Sequence, residues 1–596
     1  MAQEPRQVSS SRPQLMLSQA GVGRDGTRAA QKSYIDALWC RWYQGVPRKM
    51  GGYVEQLRGV NGVVRAIDVF SNDGYSYVHL ATGNAIQRYA IDITSGANTG
   101  LLTRTPAGYA TSSEFNWQLS QLFDIPTDTT MIFASGTPSA TSITTSSEHP
   151  VYYGDITGVE PLIPIPDGVL FTGAISGTTL TVTGASNTTL VEGDVIYGAA
   201  PGTVIVAMAP IAPYTGTGGN GTYEVSISQT VAATAMTAHQ VRASGGCCAV
   251  PPYLFLYGHD GIVRWSSTAS PTDFESEGTG DARPVGDKIV RAMPLRGQSG
   301  PAIIMWSLGS VIIGSFVGQP AYWDFTTVTT NSSVLSSNGF IEHEGIYYWA
   351  TTSGFALFNG VVREMPNIDN RQWFLDNLNW EERQKVFAYK IPRWSEIWWC
   401  FPFGNATECT HAVIYNWAEK KWYDTVLPNG GRSAGHYEFV YHHPIMAGIV
   451  PNEDTAGGTS MWRHEFEYDE VSGAVSIPRA IRSYFQTGEF SMVMPQQPGA
   501  LGADQGQSLS VLEPDFSQTG PLEFTVISRS NARSKERMSG PFTIVETPSK
   551  PDEQLIRFKH TGRLNSFRVE SNWLGGNYVT GAPLIHWQPG DARRED

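Results

Sequence analysis

At 596 residues the chain exceeds one ordinary domain, so several are expected. Only 16% of its residues are charged, against 62 Gly, 25 Tyr, 25 Phe and 17 Trp, which excludes a helix-rich composition and points to an all-β protein. The formal net charge of −14, from 55 acidic and 41 basic residues, argues against gripping nucleic acid by phosphate neutralisation, while remaining compatible with a surface that DNA passes without sticking.

The first 32 residues are polar and Gly/Ser-rich, have no long apolar core of the kind a secretory signal needs, and read as an extended arm. "SYIDALWCRWYQGVPRKMGGY" (Ser33 to Tyr53) carries the first aromatic cluster and contains a Gly pair just before its final Tyr. From about Ile67 a unit recurs: a short aromatic or β-branched strand, a tight polar turn, another strand. "IDVFSNDGYSYVHLATGNAIQRYAID" (Ile67 to Asp92) shows it, with Asn-Asp-Gly and Thr-Gly-Asn as turns. "YLFLYGHDGIVRWSS" (Tyr253 to Ser267), "IYYWATTSGFALFNGVVREM" (Ile346 to Met365) and "EIWWCFPFGNATECTHAVIYNWAEKKWYD" (Glu396 to Asp424) repeat it. Small successive antiparallel sheets predict a β-propeller body, at ~40–45 residues per blade, with a series of β-sandwiches as the competing architecture.

Two stretches interrupt the pattern. Residues 171–238 are dominated by Thr, Gly, Ser and Val and alternate with period two in "TTLTVTG" and "TYEVSIS", so an inserted small β domain is expected there. "NIDNRQWFLDNLNWEERQKVFAYK" (Asn367 to Lys390) is the best helical candidate, with Trp373, Phe374 and Leu378 at helical spacing and Glu381–Lys385 as an i,i+4 pair. The most apolar run, Ala302 to Phe316, is too short for a membrane span of ~20 residues and reads as a buried hairpin, so no stable membrane insertion is expected. The expected order is an arm (1–32), an N-terminal region with the first blades (33–170), the insertion (171–238), the remaining blades (239–476) and a C-terminal β-sandwich (477–596).

Chemistry-bearing motifs are weak. Cys40, Cys247, Cys248, Cys400 and Cys409 lack disulfide or zinc spacing and read as buried free thiols in a reducing compartment. No nucleophile elbow of the G-x-S-x-G kind and no H-E-x-x-H helix is expected. "GTGGNG" (Gly216 to Gly221) lacks the Lys and the following helix of a phosphate cradle and reads as a turn. "SNDGYSYV" (Ser71 to Val78) is a poor match to the repeated turns of sialidase-like propellers. In "HEFEYDE", strand alternation would put His464, Phe466 and Tyr468 on one face and a row of solvated acids, Glu465, Glu467 and Asp469, on the other, which disfavours a metal site. His442 and His443 cannot share one metal from a strand. In "AVIYNWAEKKWYD" (Ala412 to Asp424), Val413, Tyr415 and Trp417 would share a face, with Ala418 to Lys421 as the turn, so its rings read as core rather than as a sugar platform. No catalytic, metal-binding or cofactor-binding residues, and no cofactor, are expected.

The ordered combination of "RWYQGVPRKMGGY", "NWQLSQLFD" with "MIFASG", "YLFLYGHDGIVRWSSTASPTDFE", "GFALFNGVVREM", "EIWWCFPFG…AVIYNWAEKKWYD", "MWRHEFEYDE", "IRSYFQTGEF" and "RLNSFRVESN" to "WQPGD" resembles the tail nozzle proteins of short-tailed bacteriophages, also called hub or packaged-DNA stabilisation proteins. The resemblance covers most of Ser33 to Asp591 apart from the insertion. It implies a non-enzymatic virion tail protein, assembled in the host cytoplasm into a homo-hexameric ring below the portal and the tail adaptor protein. Such a ring retains packaged double-stranded DNA, passes it without sequence specificity, and docks tail fibres or spikes. Arg41, Trp42, Arg48 and Lys49 of the early motif are then expected at an adaptor or subunit contact, local packing being the plainer alternative. A receptor-binding or glycan-processing tail protein on a propeller is the other functional reading.

Overall fold

The computed structural model describes residues 12–15, 18–28, 32–106, 117–136, 151–165, 169–185, 190–200, 203–239, 245–258, 261–274, 276–450, 458–472, 477–491, 506–546 and 555–589. It is nearly all β, 58% strand and 3% helix, in many small sheets. Two compact units form: Arg65–Ile91 with Thr99–Ser337, and Met1–Val64 with Asp92–Asn98 and Asn338–Asp596.

In the first of these units, four four-stranded sheets follow one another, each a meander whose neighbours in sequence are neighbours in space. Their first strands are Val64–Asn72, Trp117–Asp124, Gly246–Val250 and Ile289–Pro294. Asp73 and Gly74 both take positive φ (49° and 81°), the two-residue turn that matches strand twist, which is why Asn-Asp-Gly reverses the chain there. Consecutive sheets pack face to face through period-two alternation. Cys247, Leu254 and Leu256 of the third sheet pack against Leu122, Met131 and Phe133 of the second. Their sequence neighbours Cys248 and Phe255 face Ile303, Met305 and Trp323 of the fourth. The adjacent cysteines therefore point to opposite faces, and all five cysteines of the chain are buried free thiols. The run Ala302–Ser307/Val311–Gly318 is the expected hairpin. Between the second and third sheets, Val169–Thr183 and Gly221–His239 pair antiparallel, joined by Val195–Tyr197 and Ile205–Ala207. They enclose their own core around Phe171, Leu180, Tyr223 and Met236.

The other unit holds two more four-stranded meanders, starting at Phe340–His343 and Phe387–Ile391, and a six-stranded sheet. In that sheet Arg432–Glu438, His443–Gly448 and Gly458–His464 are completed by Tyr53–Asn61, which pairs antiparallel with Gly458–His464 from about 400 residues earlier in the chain. Trp398 and Trp399 face opposite ways: Trp398 meets Tyr389 and Trp39, while Trp399 meets Phe355 and Trp422. Three further sheets draw strands from both ends of the chain. Asp36–Leu38 joins Ser483–Gln486, Leu564–Ser571, Leu522–Arg529 and Arg537–Ile544. Cys40–Tyr43 and Val46–Lys49 join Asn577–Thr580 and Phe516–Thr519. Arg12–Leu15 joins Leu584–Pro589, Gln507–Glu513 and Ile556–Gly562. These C-terminal sheets are thus not built from residues 477–596 alone.

The helix expected over Asn367 to Lys390 is only Arg371–Asn377. Leu378 turns extended (ψ 128°), a 3₁₀ turn follows at Arg383–Lys385, and Phe387 already lies in a strand. Lys385 pairs with Glu382 and Glu408 at 3.0 and 3.3 Å, not with Glu381. Asp25 supplies the helix cap from the N-terminal segment, accepting the Gln372 and Trp373 amides at 2.9 and 2.8 Å. Arg24 beside it reaches Asp424 at 2.8 Å and Asp36 at 2.9 Å.

Candidate functional site

The hairpin Cys40–Tyr43/Val46–Lys49 turns at Gln44 and Gly45, both at positive φ (56° and 78°). Its register sets Arg41 directly opposite Arg48. Like charges facing across an antiparallel pair repel, so each needs a counter-charge or a polarisable neighbour.

Arg41 finds two glutamates. Its Nε lies 3.0 Å from Glu396 Oε1, and its two terminal nitrogens donate to Glu465 at 2.7 and 2.5 Å. Glu396 opens a strand of the sheet that starts at Phe387 and also accepts the Trp398 indole N–H at 2.9 Å and the Tyr423 hydroxyl at 2.6 Å. Glu465 sits just past Gly458–His464 at φ 56° and accepts the Trp394 N–H at 2.7 Å. Burial opposes the charge on Arg41, but the two carboxylates outweigh it and raise its pKa. One guanidinium cannot fully hold two buried carboxylates. Burial wins at Glu396, whose pKa rises despite Arg41, whereas at Glu465 burial is overcome by Arg41 and the pKa falls. The junction ties the N-terminal hairpin to two sheets.

Trp394 closes the junction toward the surface. Three guanidinium carbons approach its ring centroid: Arg41 at 4.8 Å, Arg48 at 4.7 Å and Arg393 at 4.9 Å. Tyr43 meets the same indole edge-on at 5.2 Å. Arg48 is half-buried and Arg393 exposed, and the charge of Arg393 joins Arg41 in holding the Glu465 carboxyl below its usual range. Burial, then Arg41, lowers the pKa of Arg48, with Arg393 adding to the effect.

Of the four residues expected at an adaptor or subunit contact, three are enclosed within their own unit. Arg41 is 1% exposed, Trp42 0% and Lys49 3%. Trp42 packs between Tyr34 and Tyr423. Lys49 donates to Gly576 O at 2.7 Å, and burial lowers its pKa to about 8. Arg48 alone keeps a surface. Sequence reasoning found this hairpin but missed Glu396, Glu465, Trp394 and Arg393, which lie hundreds of residues away with no spacing to link them.

The acidic run after His464 is not a solvated strand face. The strand ends at His464, and Glu465 to Tyr468 make a tight connection with Glu465 and Glu467 at positive φ. Only Glu467 is exposed: Asp469 accepts the Gly575 amide, Glu470 the Tyr53 hydroxyl at 3.4 Å. No group of three or more His, Cys, Asp or Glu suited to a metal occurs among the described residues. Trp417 likewise leaves its expected strand face, since the strand ends at Asn416; half-buried in the turn, it packs on His343 at 4.1 Å, and Trp422 is the buried ring.

Two arrangements place a serine near a histidine or in a nucleophile-like motif. Gly431-Arg432-Ser433-Ala434-Gly435 fits G-x-S-x-G by letter, although no elbow of this kind is expected from the sequence. It opens the strand Arg432–Glu438 rather than a helix, and His464 accepts from Arg432 Nε at 3.1 Å. His560 is flanked by Ser528 and Ser539 at 2.7 and 2.8 Å, with Ser528 buried and a second hydroxyl where a relay needs a carboxylate. Neither geometry activates a serine toward a substrate. No protein-family model matches the chain, and no curated protein matches it.

Proposed function

We propose that the six successive meander sheets and the six-stranded sheet that follows them are blades of a β-propeller closed by the strand Tyr53–Asn61, and that the chain is a structural ring subunit of a short-tailed phage's tail nozzle. The observation that carries the architecture is the pairing of Tyr53–Asn61 with Gly458–His464, since a strand from before the first sheet completes the last. Face-to-face packing of consecutive sheets within each unit supports the same reading. The functional part rests on the ordered segments that resemble nozzle proteins. Several of these form the hairpin Cys40–Lys49, the strand Gly458–His464 and the strand Ser483–Gln486, the elements by which the chain's ends are knitted together. A scaffold of this kind suits a subunit that withstands pressure from packaged DNA and hands it onward.

In this role the protein assembles as a ring, probed by its adaptor above and by fibres or spikes outside, with duplex DNA passing through an acidic channel without base readout. Electron microscopy of the purified chain, alone and with its adaptor, tests the proposal. Closed rings with an axial channel are expected. Persistent monomers that bind or cleave glycans would favour the receptor-binding or glycan-processing alternative.

A further inference from the structure

Arg48 and Arg393 are anomalous in a chain with a formal net charge of −14. Both local glutamates, Glu396 and Glu465, are engaged at contact distance by Arg41, and the two remaining guanidinium groups lie over the one Trp394 indole, Arg393 acting on Glu465 only through its charge. Arg48 is fixed on a strand directly opposite Arg41, and Arg393 lies in the short turn Pro392–Trp394, whose first residue is proline and whose end is set by Ser395 at φ 57°. We propose that Arg48 and Arg393, held over Trp394, form a receptor for a phosphate group.

Guanidinium forks match phosphate oxygens in pairs, and a fork already stacked on an aromatic face loses little freedom on binding. The chain itself shows what a carboxylate does: the single guanidinium of Arg41 takes both oxygens of Glu465, with the Trp394 N–H sharing one of them. A phosphate offers more oxygens and more charge, which two adjacent guanidinium groups can share. It would also offset the mutual repulsion of three arginines around one ring. Three cations already crowd the half-buried Trp394 ring, so the site is one for an anionic group rather than a platform for a base. The phosphate can come from the free anion or from a nucleic-acid phosphodiester. The site stands whether or not the chain forms a ring.

The test uses the full-length chain, Arg393→Gln and Arg48→Gln. Thermal unfolding is followed in sodium phosphate and in sodium chloride at matched ionic strength, and binding of a short labelled DNA duplex is followed by anisotropy. Phosphate should raise the wild-type midpoint saturably, and each substitution should weaken half-saturation by about tenfold or more. Arg393→Gln, at an exposed position, should unfold in chloride as the wild type does. If the phosphodiester is the source, each substitution lowers the salt dependence of duplex binding by about one counterion. Phosphate stabilisation without duplex binding assigns the free anion. Equal phosphate responses in all three proteins, or none, would overturn the proposal. So would arginine-dependent binding of a polyglutamate peptide without a phosphate response, which would make the patch a protein contact.

Discussion

At the scale of single residues, the fold depends on a few buried charges whose partners are distant in sequence. Removing one member of a buried ion pair leaves the other uncompensated, so Glu465→Gln should destabilise the chain by about 3–5 kcal/mol in urea unfolding. A change below about 1 kcal/mol would mean that Arg41 is adequately held by Glu396 alone. Trp422→Ala should cost about 3–5 kcal/mol, because the ring is buried against Trp399 and Phe355, and clearly more than Trp417→Ala at the half-exposed turn. Histidines give the pH dependence its sign. Burial, reinforced by Arg104 and Arg88, holds His79 down to about 3, and burial with Arg432 holds His464 well below 6.5. The unfolded chain binds these protons first, so their contribution is intact above about pH 6.5 and is lost as pH falls toward the folded values, by up to ~1.4 kcal/mol per unit per histidine. Urea midpoints should therefore already drop between pH 7 and 5, above the range where Glu465 protonates. Glu396, whose pKa burial raises, acts in the opposite sense, so the direct check is the folded rings themselves: a His79 or His464 imidazole protonated at pH 5 by NMR would contradict buried neutral imidazoles. The sequence drew attention to Arg41, Trp42, Arg48 and Lys49 but could not tell enclosure from exposure, because Glu465 lies 424 residues from Arg41.

At the scale of elements, local turn chemistry was legible and long-range pairing was not. Asn-Asp-Gly, Glu344-Gly345 and Gln44-Gly45 each put two consecutive residues at positive φ, and hairpins result. The helix was over-extended for a physical reason. Trp373, Phe374 and Leu378 continue into Phe387 and Tyr389, and apolar spacing alone does not mark where a period of 3.6 becomes one of two. Its cap was invisible because Asp25 arrives from more than 340 residues away. Asp25→Ala should cost about 0.5–2 kcal/mol and raise amide exchange at Gln372 and Trp373 first; unchanged exchange would show the helix needs no such cap. Gly21 is a sharper case: it lies in the strand Gln19–Val22 with φ at 103°, and a Cβ there would lie 2.8 Å from the Trp422 carbonyl oxygen, so Gly21→Ala should push this strand off the strand Lys421–Val426. Detachment would appear as proteolytic cleavage near Arg24 and Arg28 in the variant, and equal resistance in both proteins would contradict it.

For the whole molecule, composition alone anticipated a β protein, and the recurrent strand–turn unit anticipated its small sheets. It could not anticipate that Tyr53–Asn61 completes a sheet begun at Arg432, or that Asp36 to Lys49 belongs with strands near the C-terminus, since backbone pairing leaves no local trace in side-chain pattern. Strands near both ends of the chain are thereby bound into common sheets. The most direct test of the structural role is electron microscopy of the intact particle with a label fused to the C-terminus of the chain. The nozzle reading predicts labels in a ring about the tail axis below the adaptor. Labels confined to peripheral appendages, or absent from the particle, would contradict it.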